Sequence, residues 1–123
     1  MAVIVSKSSE PVTTYPGRKR VFLANEKITR SKHLAADVVS YEPGAENHDH
    51  FHNSESFIYI IEGDCEVFIN GKSQLVGPET MIFLEPGDRH WMRNVGKTEM
   101  KMIEAFAPNA DSKSFDPSGK PLH

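Results

Sequence analysis

Apolar and polar positions alternate in short bursts along this chain. Nowhere does an apolar period of three to four residues persist over three turns, so the pattern is that of strands divided by turns rather than of helices. The clearest burst is Phe57-Ile58-Tyr59-Ile60-Ile61, made throughout of β-branched and aromatic side chains. Glu62-Gly63-Asp64 reads as a turn. Residues 65–69 alternate and end on Asn70-Gly71, a strong two-residue hairpin signal, so a returning strand is expected over 73–76. Gly77-Pro78 breaks that strand, residues 81–84 form the next, and Pro86-Gly87 closes it. Further strands are expected over 90–95 and 100–106. Upstream, 21–24 and 33–41 read as strands, the second closed by Pro43-Gly44. Eight or nine short strands with turn signals this dense predict an all-β sandwich or barrel. Pro108, Pro117, Gly119 and Pro121 lie among polar residues beyond the last strand. The reading is therefore one domain over 1–123, with a barrel core over roughly 18–107 and a surface arm or frayed tail over 108–123.

Composition narrows the partners. A chain of 123 residues is long enough for one core, and its formal net charge of −3 offers no basic surplus to neutralise phosphates, so nucleic acid is not expected as a partner. The run Arg18-Lys19-Arg20 reads as a solvated strand end. No apolar stretch approaches a membrane span, and the start Met1-Ala2-Val3-Ile4-Val5 is too short, and too poor in basic residues, for a signal peptide. Cys65 is the one cysteine, which excludes an internal disulfide and fits a reducing, cytoplasmic setting. The apolar segment Val3-Ile4-Val5 has no local pairing partner. A homodimer is therefore expected, with the N-terminal strand or the outer face around Trp91 in the contact.

Chemistry concentrates in Asn47-His48-Asp49-His50-Phe51-His52-Asn53. Alternate residues of a strand share a face, and neutral imidazole is a favoured ligand for late first-row metals. Two imidazoles two residues apart can hold one ion. The outer two of three lie roughly 13 Å apart along a regular strand and cannot share an ion without a bend.

With these residues the chain resembles the cupin family. The family's first motif is a glycine, five residues, His-x-His, a short gap, a carboxylate, six residues and a glycine. Counting from Gly44 forward and from Gly63 backward selects His50 and His52 as the ligand pair, leaves His48 as an extra histidine, and puts Ser56 in the carboxylate's place. The second motif is matched from Gly87 onward in Glu85-Pro86-Gly87-Asp88-Arg89-His90-Trp91-Met92-Arg93-Asn94. Glu85 stands for its proline and Glu79 for its first glycine. The resemblance covers roughly 36 to 106. It implies a double-stranded β-helix (jelly-roll) barrel and a divalent transition metal (Fe, Zn, Ni, Mn or Cu) held by His50, His52 and His90.

Strand parity puts Ser56 on the face of His50 and His52, and Glu55 on the opposite face unless the chain bulges. Three site compositions stay open: three histidines, three histidines with Glu55, or a damaged site. A site without a carboxylate keeps the ion's full charge and favours an anionic ligand such as an enolate or carboxylate. Glu55 and His48 are the acid–base candidates. Arg89 and Arg93 either anchor a carboxylate or lie on the outer face. Met92, Met100 and Met102 share the parity of His90 and read as core, as does Cys65, while His33 and His123 read as surface residues. The function implied is a metal-dependent enzyme on a small organic molecule, as a non-haem dioxygenase or a metal-assisted isomerase or lyase. The alternative is a binding or sensing cupin without turnover.

Overall fold

The computed structural model describes residues 2–108 and 113–122. Its strands are β1 (Thr13–Tyr15), β2 (Arg18–Ala24), β3 (Ala35–Tyr41), β4 (Glu55–Glu62), β5 (Cys65–Ile69), β6 (Lys72–Val76), β7 (Thr80–Leu84), β8 (His90–Asn94) and β9 (Met100–Ala107). They form a six-stranded sheet in the order β1-β2-β3-β9-β4-β7 and a three-stranded sheet in the order β6-β5-β8. Every strand pairing is antiparallel. The inner faces of the two sheets meet in one core that joins Val39, Tyr41, Ile58, Ile60 and Met102 to Cys65, Val67 and Met92.

Period-two alternation sets which side chains point inward. β3 buries Ala35, Asp37, Val39 and Tyr41, β4 buries Ser56, Ile58 and Ile60, and β8 buries His90, Met92 and Asn94. The β5–β6 hairpin closes through Asn70 and Gly71, whose φ values of 49° and 84° are the two left-handed conformations that a twist-matched two-residue turn requires. Gly63 (φ 96°) has no alternative, because a Cβ there would stand 2.7 Å from the Met100 Cα. Asn94 ties down the far end of β8. Its buried amide donates to the Tyr41 and Thr98 carbonyls at 3.0 and 2.9 Å and accepts from Gly96 N at 2.9 Å.

The N-terminal third differs from the expectation. β2 starts at Arg18 rather than at 21, and β3 starts at Ala35 rather than at 33. β1 and a four-residue helix, α1 (Glu26–Thr29), carry too little apolar pattern to register in sequence. α1 is held by its caps, with Asn25 Oδ1 accepting from Ile28 N at 2.8 Å and Arg30 closing it at φ 58°. Val3-Ile4-Val5 forms no strand, and Ile4 is 99% exposed. His33 is exposed, while His123 lies outside the described residues. Among the described residues no helix is long and apolar enough to cross a membrane.

Candidate metal centre

The segment between β3 and β4 runs beside β8 with one break in register. Glu46 lies opposite Arg93 and His50 opposite His90, so one extra residue is inserted between the two pairs. The Asn47 side chain bridges the irregularity, its Oδ1 accepting from Met92 N at 2.7 Å where a backbone carbonyl would otherwise stand. This bulge cancels the parity that would align His48 with His50. His48 stays exposed at the cavity wall, whereas His50 exchanges backbone hydrogen bonds with His90 at 3.1 and 2.8 Å. His52 follows, with its carbonyl accepting from Gly87 N at 2.9 Å.

These pairings bring three rings together. Centroids lie 4.2 Å apart for His50 and His90, 4.9 Å for His50 and His52, and 5.3 Å for His52 and His90. One ring nitrogen of each lies within 4.8 Å of the other two. Each Nδ1 meets a backbone carbonyl: His50 that of His48 at 2.6 Å, His52 that of Lys113 at 2.9 Å, and His90 that of Asp88 at 2.9 Å. A carbonyl only accepts, so each Nδ1 carries the proton and each Nε2 keeps a lone pair. Burial, and then the neighbouring His52, lowers the pKa of His50 to about 4. Burial, and then His50, lowers that of His90 to about 3, and burial lowers that of His52. Three neutral imidazoles with fixed tautomers and outer-shell carbonyls are a donor set suited to a divalent transition ion.

The same burial dictates a pH response. The depressed histidines stay neutral in the folded metal-free chain while the unfolded chain takes up protons near 6.5. Their contribution is complete above that pH and is lost as pH falls towards about 4 and 3, by up to about 2 kcal/mol for each of His50 and His90 between pH 6.5 and 5. Asp37, whose carboxyl is pushed up by burial and by Glu104 against the pull of Arg20, acts with the opposite sign. The comparison is therefore with a His50→Gln, His90→Gln variant that keeps Asp37. Metal-free wild type is expected to lose more stability than this variant from pH 7 to 5 in urea unfolding. Parallel losses would contradict the depressed values.

The remaining candidates separate. Ser56 is buried on the inner face of β4, opposite Phe106 and Leu84, and Glu55 is exposed on the other side of the strand. No bulge turns Glu55 inward. Arg89 pairs with Asp49, and Arg93 pairs with Glu66 at 2.6 Å and Glu46 at 3.9 Å, so both are engaged outside the barrel. Trp91 stacks on Phe68 at 3.8 Å. Met92, Met100 and Met102 fill the core. Cys65 is buried in the core apart from the histidine cluster, and burial pushes its thiol up to about 12, which keeps it protonated in the metal-free chain.

Two features escaped the sequence reading. The first is a charged inner wall on a cavity of about 310 Å³ that His50 and His90 also line. Arg18-Lys19-Arg20 is not a solvated strand end. Arg18 and Arg20 face the cavity across from Tyr41 and Val39. Arg20 Nε lies 2.9 Å from Asp37 Oδ2, and its Nη2 lies 3.6 Å from Glu104 Oε2. The second feature is the attachment of the expected C-terminal arm to the cavity wall. Phe115 pairs with Phe51 through two 2.9 Å backbone bonds and a ring stack with centroids 5.4 Å apart. Leu122 N bonds the Ser114 carbonyl at 3.0 Å, and both residues line the cavity, while the Lys113 carbonyl orients His52.

Comparison with known proteins agrees with this geometry. The family model described as a cupin domain matches residues 37–106. A polyketide synthase CurC of Streptomyces cyaneus is 33% identical over 74 residues, 59% of this chain and 48% of that protein. The L-ectoine synthase of Bordetella avium is 32% identical over 92 residues, 73% of this chain and 66% of that protein. The chain thus spans about half to two thirds of the length of these curated relatives. Among solved structures, KdgF from a Halomonas species superposes with a TM-score of 0.79 at 19% identity, covering 90% of this chain and 97% of that one. The polyketide cyclase RemF of Streptomyces resistomycificus superposes at 0.75 and 19%, covering 89% and 81%. The likeness to these structures establishes the jelly-roll barrel.

Proposed function

The chain belongs to the cupin family, and from that premise we propose a metal-dependent enzyme acting on a small organic anion in the barrel cavity, with His50, His52 and His90 as the protein ligands. The observation that carries this reading is the convergence of three neutral imidazoles whose Nδ1 protons are all committed to backbone carbonyls. A divalent transition ion (Fe, Zn, Ni, Mn or Cu) bound there would supply Lewis-acid polarisation of a substrate oxygen. The rest of the chemistry belongs to the chain. Arg18 and Arg20 give the wall positive charge, and the C-terminal arm, with Ser114 and Leu122, restricts water at one side. Glu104, which lines the cavity beside Arg20, takes the acid–base role that sequence parity denies to Glu55. His48 lines the same cavity and is not a ligand in this reading.

A proton acceptor in the cavity supports isomerisation, elimination or cyclisation rather than oxygen insertion. The relatives' names, which include a cyclase and two synthases, support the same side. The test offers enolisable carboxylic acids to metal-loaded protein with and without oxygen. Turnover is expected to be undiminished without oxygen and lost in Glu104→Gln at unchanged metal content. Strict oxygen dependence would move the reading to a dioxygenase, and saturable binding without turnover would move it to a sensing protein.

The reading includes a homodimer, supported by the apolar outer face of β4, β7 and β9, where Met81 is 60% and Phe83 53% exposed, and by the exposed Ile4. Sedimentation as a monomer at micromolar concentration would contradict it. It also includes a cytoplasmic setting, supported by the free, buried thiol of Cys65. Recovery of the protein in a secreted fraction would contradict that.

A further inference from the structure

We propose that Arg18 is the anion-recognition residue of the cavity, and that the molecule bound there is a single-ring or short-chain carboxylic acid whose carboxylate seats on the Arg18 guanidinium. The proposal rests on reading the cavity as a small-molecule site and narrows its substrate class.

The two cavity arginines differ in how their charge is met. Arg20 has Asp37 and Glu104 as ion-pair partners. Arg18 has none: among the described residues no carboxylate forms an ion pair with it. What holds Arg18 is aromatic. Its guanidinium carbon lies 4.6 Å from the Tyr15 ring centroid and 5.7 Å from that of Tyr41, and it donates a hydrogen bond to the Tyr41 hydroxyl. Stacking of this kind fixes the plane of a guanidinium without consuming its edge. Arg18 Nε is shielded from solvent and has no hydrogen-bond acceptor in the protein. A buried donor left without an acceptor is costly, and such groups call for an explanation. Arg18 lines the cavity without a carboxylate partner, and a planar guanidinium matches a carboxylate, which accepts two parallel N–H bonds.

Arg18, His50 and His90 line one cavity, so an acid seated on Arg18 shares the cavity with the histidines. At about 310 Å³ the cavity is at the small end of ligand sites, a volume that suits a single-ring or short-chain acid.

The probes are salicylate and its uncharged amide, salicylamide, titrated into metal-free and zinc-loaded protein while the Arg18 Nε–H resonance is followed by NMR. Salicylate is expected to shift that resonance in metal-free protein, and salicylamide to leave it in place. Arg18→Gln is expected to weaken salicylate binding about tenfold or more, with Arg18→Lys intermediate and zinc affinity unchanged in both. The wild-type resonance needs no variant to fold. An unmoved resonance, equal affinity for acid and amide, or Arg18→Gln binding within twofold of wild type would each overturn the proposal. Failure of the wild type to bind zinc, with the Arg18 response intact, would instead sink the metal reading and leave this one standing.

Discussion

Replacing His90 with alanine is expected to abolish tight metal binding while the chain still folds. His90 is the member of the cluster brought in by β8, and its ring lies nearest to His50, with centroids 4.2 Å apart. Without it, two imidazoles from one segment remain, and the loss should exceed the roughly 10–100-fold that removal of an outer-shell partner costs. His50→Ala and His52→Ala should do the same. His48→Ala should leave metal affinity unchanged, because His48 meets the cluster only through its carbonyl, which survives the substitution. Metal titration of the four variants by competition with a chelating dye checks this. Loss of binding in His48→Ala with retention in His50→Ala would mean that the ligand register is shifted by two residues.

Arg20→Met is expected to be the most destabilising single change away from the histidines. Asp37 and Glu104 are direct cross-strand neighbours on β3 and β9, a like-charge pairing that is unfavourable by itself. Arg20 sits between them, and the Asp37 side chain is 0% exposed. Neither Asp37 oxygen accepts a well-aligned hydrogen bond, so Arg20 is the main compensation for the buried carboxylate. Removing it should cost on the order of 3–5 kcal/mol at pH 7, as for other broken buried ion pairs. The cost should shrink as pH falls, because protonation of the already raised Asp37 relieves the uncompensated charge. Urea unfolding of variant and wild type at pH 7 and pH 5 measures both quantities. A difference below about 1 kcal/mol at pH 7 would place Arg20 among ordinary surface ion pairs.

These two results divide along what the sequence discloses. The histidine cluster is legible because glycine positions fix the spacing of both motifs, and because His90 falls on the inner face of a regular strand. Ser56, Met92 and the Asn70-Gly71 hairpin are legible for the same local reason. The Arg18 and Arg20 wall is not. Whether a charged side chain is buried depends on partners that lie far away in sequence, here Asp37 and Glu104. The bulge after Glu46 resets parity within a stretch that reads as regular alternation, which is why His48 stands apart from its two neighbours. The arm over 113–122 lacks apolar periodicity, and its attachment to Phe51 and His52 is made by backbone groups and one ring stack that no composition signals.

The central claim is that His50, His52 and His90 together hold one divalent transition ion, and X-ray absorption at the metal edge of protein purified without added metal tests it most directly. The expected result is close to one ion per chain, with three imidazole nitrogens in its first shell, light oxygen donors completing it and no sulfur. A metal content well below one that dialysis removes, or a first shell with fewer than three imidazoles, would contradict it.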